Sequence, residues 1–245
     1  MNNSFYTVVS QVRLAPKTYR LVLQGDVSAF RAPGQFVHIK LPNFFLRRPL
    51  SVADIEGNRL TLLYKVVGAG TTALTAVQPD DVLDVLAGLG NGFTVREDKR
   101  NPLLTGGGIG IPPLYYLAKT LLNAGILPTV LLGFNTAEEM FYEQEFKALG
   151  CPVYTATVDG SAGDKGFVTD LPAIYNLTYD FVYTCGPLPM LKAVYTVCES
   201  DGQFSFEERM GCGYGVCQVC TCKTKGGLKR LCMEGPVLNR EEIVW

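Results

Sequence analysis

The sequence predicts a multidomain α+β protein with three consecutive parts, and three observations support this prediction. Short strand-like runs without convincing helices fill the chain up to about residue 98. Strands, glycine turns and helices then alternate up to about residue 202, which is typical of an α/β domain with a parallel sheet. The last residues are few and rich in cysteine. We therefore expect domains at 1–98, 99–202 and 203–245.

The first part has the pattern of a small antiparallel β structure. Strand-like runs at 19–23, 35–40 and 60–67 are separated by turns at 32–34 and 56–58. Several short strands so close together predict an antiparallel barrel or a sandwich.

His38, the only histidine of the chain, lies in one of these runs. Its neighbours Val37 and Ile39 should point to the opposite face, because side chains alternate along a strand. We therefore expect a solvated His38 without a metal-binding or acid–base role.

A glycine turn opens the second part. Pro102–Thr105 indicates a buried strand, 106–110 a glycine turn, and Pro112 the first turn of a helix that runs to about Ala124. Such a turn lets the backbone approach a phosphate, and the helix N-terminus adds N–H donors. A glycine run alone could be a tight turn without a ligand. Its place between a strand and a helix favours a dinucleotide site.

The strand–helix pattern then repeats twice. Thr129–Leu132 indicates the next strand, and Thr136 with Glu139 forms a capping-box pattern that predicts a helix ending near Gly150. A further strand at 180–184 leads into a second glycine turn and helix. Ligands of open α/β sheets bind at the carboxyl ends of the strands, so both glycine turns should face one crevice.

The C-terminal cysteines have the spacing C-x4-C-x2-C-x11-C, which is that of a plant-type [2Fe-2S] cluster. The four residues are Cys212, Cys217, Cys220 and Cys232. Interspersed glycines let such a loop wrap a small cluster and point N–H groups at its sulfurs. The spacing therefore predicts a site for one-electron transfer.

Structural zinc, a disulfide framework and scattered buried thiols are the alternatives for these cysteines. Structural zinc sites usually pair two C-x2-C knuckles, and only Cys217 and Cys220 form one here. Disulfide frameworks are typical of small secreted chains, and the sequence shows no leader pattern. We therefore expect no disulfides. Cys222 should face away from Cys220 in a strand, and we expect it to stay unligated.

Charge and hydropathy argue against two classes of partner. The formal net charge is −1 and basic residues are not clustered, which gives no support for nucleic-acid binding. No apolar window approaches the roughly 18 residues of a membrane-spanning helix. A cytoplasmic location is expected.

A flavin is expected in the first part, because a nicotinamide dinucleotide moves a hydride whereas an iron–sulfur cluster takes single electrons. Arg48 and Ser51, beside Pro49, offer a guanidinium and a hydroxyl, and the turn 68–72 offers N–H and O–H donors. Together these groups could bind the pyrophosphate of a flavin dinucleotide. Either segment alone could be an ordinary turn.

Five motifs occur in order: Arg48-Pro-Leu-Ser51, Gly68-Ala-Gly-Thr71, Gly88-Leu-Gly-Asn-Gly-Phe93, Gly106-Gly-Gly-Ile-Gly110 and Cys185-Gly-Pro187. Over residues 5–200 the chain thereby resembles the ferredoxin–NADP reductase superfamily. With the segments 208–217 and 232–237, the whole chain resembles the electron-transfer subunits of class 1B dihydroorotate dehydrogenases.

The resemblance implies an FAD-binding β-barrel, an NAD-binding α/β domain and a small [2Fe-2S] domain. It also implies a partner, an FMN-bearing catalytic subunit that oxidises dihydroorotate to orotate for pyrimidine (UMP) synthesis. Electrons would pass from that subunit through the cluster and FAD to NAD+, in a heterotetramer with two copies of each chain. No residue here has the pattern of a general base for dihydroorotate, in agreement with this division of labour.

The same resemblance implies the cofactor-binding residues. For FAD they are Arg48, Pro49, Leu50, Ser51, Tyr64, Lys65, Val66, Gly70, Thr71 and Thr72. For NAD they are Gly106, Gly107, Gly108, Gly110, Cys185, Gly186 and Pro187. Leu50 replaces an aromatic residue or isoleucine often found there, and contributes mainly packing. Residues 134–136 lack the Arg or Lys of a 2′-phosphate site and precede Glu138 and Glu139, which favours NAD over NADP.

Two other functions fit parts of the pattern. One is the flavin and iron–sulfur subunit of another complex, of the ferredoxin:NADP reductase, sulfhydrogenase or sulfite reductase type. The other is a zinc-bearing, non-redox interaction protein, which would be colourless. A cluster that receives electrons from a partner has to lie near the subunit interface, so we expect Tyr214, Val216 or Gln218 close to that surface.

Overall fold

The computed structural model describes residues 3–245, and its first part is a closed antiparallel barrel. The strands are β1 (Asn3–Ala15), β2 (Thr18–Gln24), β3 (Phe36–Ile39), β4 (Arg48–Glu56), β5 (Arg59–Lys65) and β6 (Val82–Leu89). They follow the order β1-β2-β5-β4-β3-β6, and a short helix α1 (Ala69–Leu74) connects β5 to β6. The predicted antiparallel barrel is confirmed.

The barrel interior is filled by alternate side chains of its strands. Leu21 and Leu23 of β2 and Leu60 and Leu62 of β5 are fully buried there. Each buried leucine side chain stabilises the barrel by roughly 1.5–3 kcal/mol relative to an exposed one. The packed core therefore fixes β4 and β5, whose residues include several of the predicted FAD-binding residues.

The outer face of β3 is covered, and the prediction that His38 is solvated was wrong. Val37 and Ile39 point into the barrel core, so His38 points outward, as the alternation predicts. Its side chain is nevertheless 0% exposed. Phe36, on the same outer face, packs in a core shared with the C-terminal region. Alternation along β3 could not show that a segment so much later in the sequence covers this face.

The second part is a sheet with helices between its strands. The strands are β7 (Pro102–Gly107), β8 (Thr129–Phe134), β9 (Val153–Thr157), β10 (Asp164–Lys165), β11 (Phe181–Cys185) and β12 (Gly202–Ser205). The helices are α2 (Pro112–Asn123), α3 (Glu143–Ala148), α4 (Pro172–Asn176) and α5 (Leu188–Val197). These six strands pair in parallel, as predicted. None of the helices found within residues 3–245 is long and apolar enough to span a membrane.

The helix predicted from the capping box of Thr136 and Glu139 does not begin there. Thr136 makes no side-chain cap bond, and only a 3-10 turn follows. Tyr142 then takes a left-handed conformation (φ 64°), and α3 begins after it. The Glu139 carboxylate binds the side chains of Lys65 and Asn135 instead of closing a capping box.

The C-terminal region returns to the sheet after carrying the cysteines. A hairpin of β13 (Thr221–Thr224) and β14 (Gly227–Arg230) is followed by β15 (Val237–Asn239). β15 pairs antiparallel with β12, so the full sheet has the order β10-β9-β8-β7-β11-β12-β15. The Asn91 side chain at the end of the barrel also pairs with the Val237 backbone (2.8 and 3.1 Å). The domain boundaries stay predictions. The sheet of the second part includes β15, which lies beyond the predicted boundary between residues 202 and 203.

Candidate functional site

The three regions meet at a cleft of about 260 Å³. The barrel, the first glycine turn and the segment after β12 all contribute to its walls. The lining residues include Ser51, Tyr64, Lys65, Thr71, Ile109, Ser205 and Glu207. A larger open depression of about 930 Å³ lies between the β3–β4 connection and β6, and none of the predicted site residues line it. The smaller cleft is therefore the candidate site.

Arg48 and Gly70 bring the two predicted flavin motifs into contact. A Cβ atom at Gly70 would overlap the guanidinium of Arg48, so the guanidinium would have to shift if residue 70 had a side chain. The guanidinium also stacks over the Phe44 ring, 4.8 Å from its centroid, and donates to the Leu46 carbonyl. Two segments that were singled out separately in the sequence form one surface.

Two threonine hydroxyls hold the turn before α1. Thr71 Oγ1 accepts from the backbone N–H groups of Val67 (3.0 Å) and Gly68 (3.2 Å). The Thr72 hydroxyl donates to the Gly68 carbonyl (3.1 Å). These bonds fix the backbone of the turn beside Arg48.

The strand residues predicted to lie beneath the flavin have different surroundings. Leu50 is buried in the barrel core, in line with a packing role. Tyr64 stacks on Tyr19 and its hydroxyl donates to Gln11 Oε1 (2.8 Å), while burial raises the pKa of the Tyr64 phenol. Val66 is half-buried against the same core.

Two groups of ion pairs join the barrel to the α/β domain. Lys65 binds Glu139 (3.2 Å), and Glu139 also accepts from Asn135 (2.9 Å). Lys119 on α2 binds Asp54 (2.6 Å) and Glu56 (2.8 Å) of β4. Burial raises the pKa of Asp54, and Lys119 opposes this rise. These ion pairs thus hold the barrel and the α/β domain together, and Lys65 also lines the cleft.

The two glycine turns of the α/β domain contact each other. Cys185 pairs with Gly106 in the sheet register. A Cβ at Gly110 would overlap the Cys185 carbonyl, and one at Gly107 would overlap the Met190 sulfur. The structure therefore brings the predicted nucleotide residues of both turns to one place. Gly186 and Pro187 continue the second turn into α5.

Glu207 is a cleft residue that the site prediction missed. The residue is exposed to solvent at the cleft, and desolvation by the protein atoms around its carboxyl group raises the pKa of that group. Burial, followed by the Glu207 charge, also raises the pKa of the Cys185 thiol, and a hydrogen bond with Ser205 opposes this. The available signal was its position two residues after β12, at the same carboxyl edge of the sheet as Cys185.

The four predicted ligand thiols stand in two pairs. The Cys212 N–H donates to Cys217 Sγ (3.3 Å), and the Cys217 N–H donates to Cys212 Sγ (3.5 Å). In the second pair, the Cys232 N–H donates to Cys220 Sγ (3.4 Å). Within residues 3–245, no three His, Cys, Asp or Glu side chains converge on a single ion. Two thiol pairs match a [2Fe-2S] cluster, in which two thiolates bind each iron.

Backbone donors surround the first pair. Burial alone would raise the pKa of Cys212, but hydrogen bonds led by the N–H groups of Cys217 and Tyr214 lower it to about 7. Gly213 (φ 80°) and Gly215 (φ 82°) have left-handed backbones that favour glycine. The loop thus fits a cluster of thiolate-bound iron, whose negative charge such N–H groups offset.

Cys222 is not one of the four predicted ligands. Cys222 lies on β13 and packs against the core shared with the α/β domain, and its lack of a ligand role stays a prediction.

Around the cysteine loop, several apolar side chains are exposed. They are Tyr214, Val216, Val219 and Met233, with Val216 73% exposed. This group is called the loop rim below.

Comparisons with known proteins show which family the chain is similar to. The sequence profile described as "Iron-sulfur cluster binding domain of dihydroorotate dehydrogenase B" matches residues 207–244. The chain is 45% identical over 256 residues to the "Dihydroorotate dehydrogenase B (NAD(+)), electron transfer subunit" of Geobacillus sp. (strain WCH70), covering 100% of this chain and 99% of the relative. The protein of the same name from Fusobacterium nucleatum is 44% identical, with 97% and 96% covered.

A solved structure is similar over nearly the whole chain. It is that of an NADH-dependent reduced ferredoxin-NADP oxidoreductase, described in connection with flavin-based electron bifurcation. The TM-score is 0.90 at 32% identity, with 98% of this chain and 90% of the other covered. The barrel, the α/β sheet and the C-terminal region therefore form an arrangement already seen in a flavin-dependent reductase.

Proposed function

The chain belongs to the family of dihydroorotate dehydrogenase B (NAD+) electron transfer subunits, and we propose that the cleft and the cysteine loop are its cofactor sites. It is an oxidoreductase subunit with FAD, an iron–sulfur cluster and NAD+, and it acts in pyrimidine biosynthesis with a catalytic partner subunit. The observation that carries the site proposal is the cleft, which joins the flavin motifs, the glycine turn and the start of the cysteine region.

We assign FAD to the barrel side of the cleft. Arg48 and Ser51 are the phosphate-binding candidates, and the turn from Gly70 to Thr72 supplies backbone and hydroxyl donors. Pro49, Leu50, Tyr64, Lys65 and Val66 shape the strands beneath the ring system. When bound, FAD and the cluster supply the exchange between electron pairs and single electrons.

We assign NAD+ to the two contacting glycine turns. Gly106, Gly107, Gly108 and Gly110 let the backbone approach the nucleotide phosphates, and Cys185, Gly186 and Pro187 form the facing turn. The region after β8 carries Glu138 and Glu139 and no Arg or Lys between 134 and 139. Glu139 is held by Lys65 and Asn135. A carboxylate fixed there disfavours a 2′-phosphate, which supports NAD+ over NADP+.

We assign the [2Fe-2S] cluster to Cys212, Cys217, Cys220 and Cys232. The protein groups near it act by holding the thiolates in two pairs and by donating N–H groups to their sulfurs. The loop rim is proposed as the surface that meets an FMN-bearing catalytic subunit, in an assembly of two copies of each chain in the cytoplasm. An exposed apolar rim beside the cluster site fits a partner that must bring its own cofactor close.

The test is an anaerobic visible spectrum of the purified chain before and after dithionite, with iron, sulfide and FAD quantified. We expect flavin bands and bleaching of long-wavelength absorbance, with two irons and one FAD per chain. Dihydroorotate:NAD+ activity should appear on mixing with the catalytic subunit. A colourless protein loaded with zinc would contradict the site assignments and favour the non-redox interaction protein.

A further inference from the structure

His38 lies beneath the cysteine loop and packs beside the Phe36 ring (5.7 Å between ring centroids). The side chain is fully buried, and neither Nδ1 nor Nε2 has a hydrogen-bond partner among the residues that the structure describes. A buried polar group without a partner is destabilising, so buried polar groups are nearly always hydrogen-bonded. An unpartnered imidazole in a fully buried position therefore indicates a missing acceptor.

The position of the ring shows where that acceptor lies. A Cβ atom at Gly213 would stand 2.6 Å from His38 Nδ1 and 2.7 Å from Cε1, so this edge of the ring faces the loop. Gly213 directly follows the proposed ligand Cys212. The imidazole reaches the loop only because residue 213 has no side chain.

The imidazole of His38 supplies a donor in either protonation state. A neutral histidine ring carries one N–H and a protonated ring carries two, so a buried ring needs at least one acceptor. The nearby Arg47 guanidinium forms an ion pair with Asp84 (2.9 Å to both oxygens).

His38 also lies one strand away from the cleft. It pairs in register with Pro49, and the adjacent Val37 pairs with Leu50 of the same strand β4. Pro49 and Leu50 line the cleft. The ring thus stands between the wall of the proposed flavin site and the cysteine loop.

On the basis of the cluster assignment above, we propose that His38 is a positioning residue that donates its ring N–H to a sulfur at the Cys212 end of the cluster site. Sulfur atoms of thiolate-bound iron accept such bonds, and hydrogen bonds to the sulfurs tune the reduction potential. A donor stabilises the reduced, more negative cluster, so it raises the potential. His38 then helps to set the potential at which electrons leave the cluster for the flavin.

The single histidine makes a direct test possible in the native sequence. Untagged holoprotein is grown with 15N-labelled histidine, reduced, and measured by pulsed EPR beside an unlabelled control. We expect a 15N coupling in the cluster signal that the control lacks. A normal cluster signal without 15N coupling overturns the role of His38 and leaves the cofactor assignment intact. The absence of any cluster signal overturns both.

Substitutions give a second measurement of the same bond. His38→Leu removes the donor and should shift the cluster midpoint potential to a more negative value, while the FAD potential stays unchanged. His38→Gln keeps an N–H donor and should restore much of the shift. An unchanged cluster potential in His38→Leu at full iron content overturns the proposal. If His38→Leu does not retain iron, the His38→Gln potential and the isotope experiment decide.

Discussion

The guanidinium of Arg48 fills the space that a side chain at Gly70 would need. The two residues lie on different elements, β4 and α1, and a Cβ at Gly70 would overlap Arg48 Nε. Arg48 is steadied from its other side by the Phe44 ring. The direction of the proposed phosphate-binding arginine therefore depends on the absence of an atom at residue 70.

Gly70→Ala is expected to reduce FAD content, because the new methyl group must displace the Arg48 guanidinium. We expect a loss of at least about tenfold in FAD affinity, which corresponds to about 1.4 kcal/mol. FAD per chain and the dissociation constant after flavin removal are the measurements. Gly226→Ala is the control, since a Cβ there meets only Thr224 Oγ1 at 3.9 Å. Equal FAD affinity in both variants would refute the steric explanation.

Serine substitution of each proposed ligand thiol is expected to remove the cluster and leave FAD in place. The ligands are in the C-terminal region, whereas the flavin motifs are on the barrel, so the two cofactors should be lost separately. Iron, sulfide and FAD are quantified for Cys212→Ser, Cys217→Ser, Cys220→Ser and Cys232→Ser. Cys222→Ser is the matched control and should retain two irons. Loss of iron from Cys222→Ser would show that the ligand set is wrong.

Lys119→Met is expected to lower the free energy of unfolding by roughly 1–3 kcal/mol, because it leaves the buried Asp54 carboxylate without its cation. Thermal and urea unfolding of the holoprotein are the measurements. Lys147→Met serves as the control. Lys147 forms an exposed i,i+4 pair with Glu143 at 2.6 Å, and such a pair contributes only about 0.3–0.5 kcal/mol. Similar losses in both variants would contradict a special role of the Asp54 pair.

The destabilisation of Lys119→Met should depend on pH. Burial already raises the pKa of Asp54, and removal of Lys119 removes the main opposing effect. A carboxyl group whose pKa is raised in the folded state contributes stability at low pH, and this contribution is lost as the pH rises through the folded pKa. The difference from wild type should therefore be larger at about pH 8 than at about pH 5. A difference that grows on acidification would contradict this account.

Val216→Glu on the loop rim is expected to weaken assembly with the catalytic subunit and to slow dihydroorotate:NAD+ turnover, with cofactor content unchanged. The substitution places a charge in a surface that should become desolvated. Size-exclusion chromatography and a titration of activity against the catalytic subunit measure the two effects. Leu127→Glu is the control, because Leu127 is 52% exposed between α2 and β8, before the amino end of that strand, and is not part of the loop rim. Normal assembly and turnover in Val216→Glu would show that the docking surface is not the loop rim.

The parts of the site that local spacing controls were predictable from the sequence. The cysteine loop and its glycines are close in the chain, and the glycine turn at 106–110 lies between a strand and a helix. In both cases the chemistry depends on neighbours within a few residues. Strand alternation likewise showed that His38 faces away from the barrel core.

The parts that distant contacts control were not predictable. Thr136 and Glu139 match a local capping pattern, but Lys65, 74 residues earlier, binds the Glu139 carboxylate. His38 is covered by a loop around Gly213, so its burial depends on a contact across most of the chain. Glu207 became part of the cleft through the meeting of three regions. Local sequence patterns do not show which distant surfaces of the folded chain meet.

The strands on either side of the cysteine region, β12 and β15, are neighbours in the sheet, and the Asn91 side chain ties β15 to the barrel. Both ends of the cysteine region are therefore attached to the same sheet, and its C-terminal end is also attached to the barrel. An electron carrier held in this way is a stationary relay and not a tethered shuttle that swings between donor and acceptor. Its rate of transfer to the flavin should then be indifferent to solvent viscosity, and only the encounter with the partner subunit should slow in a viscous medium.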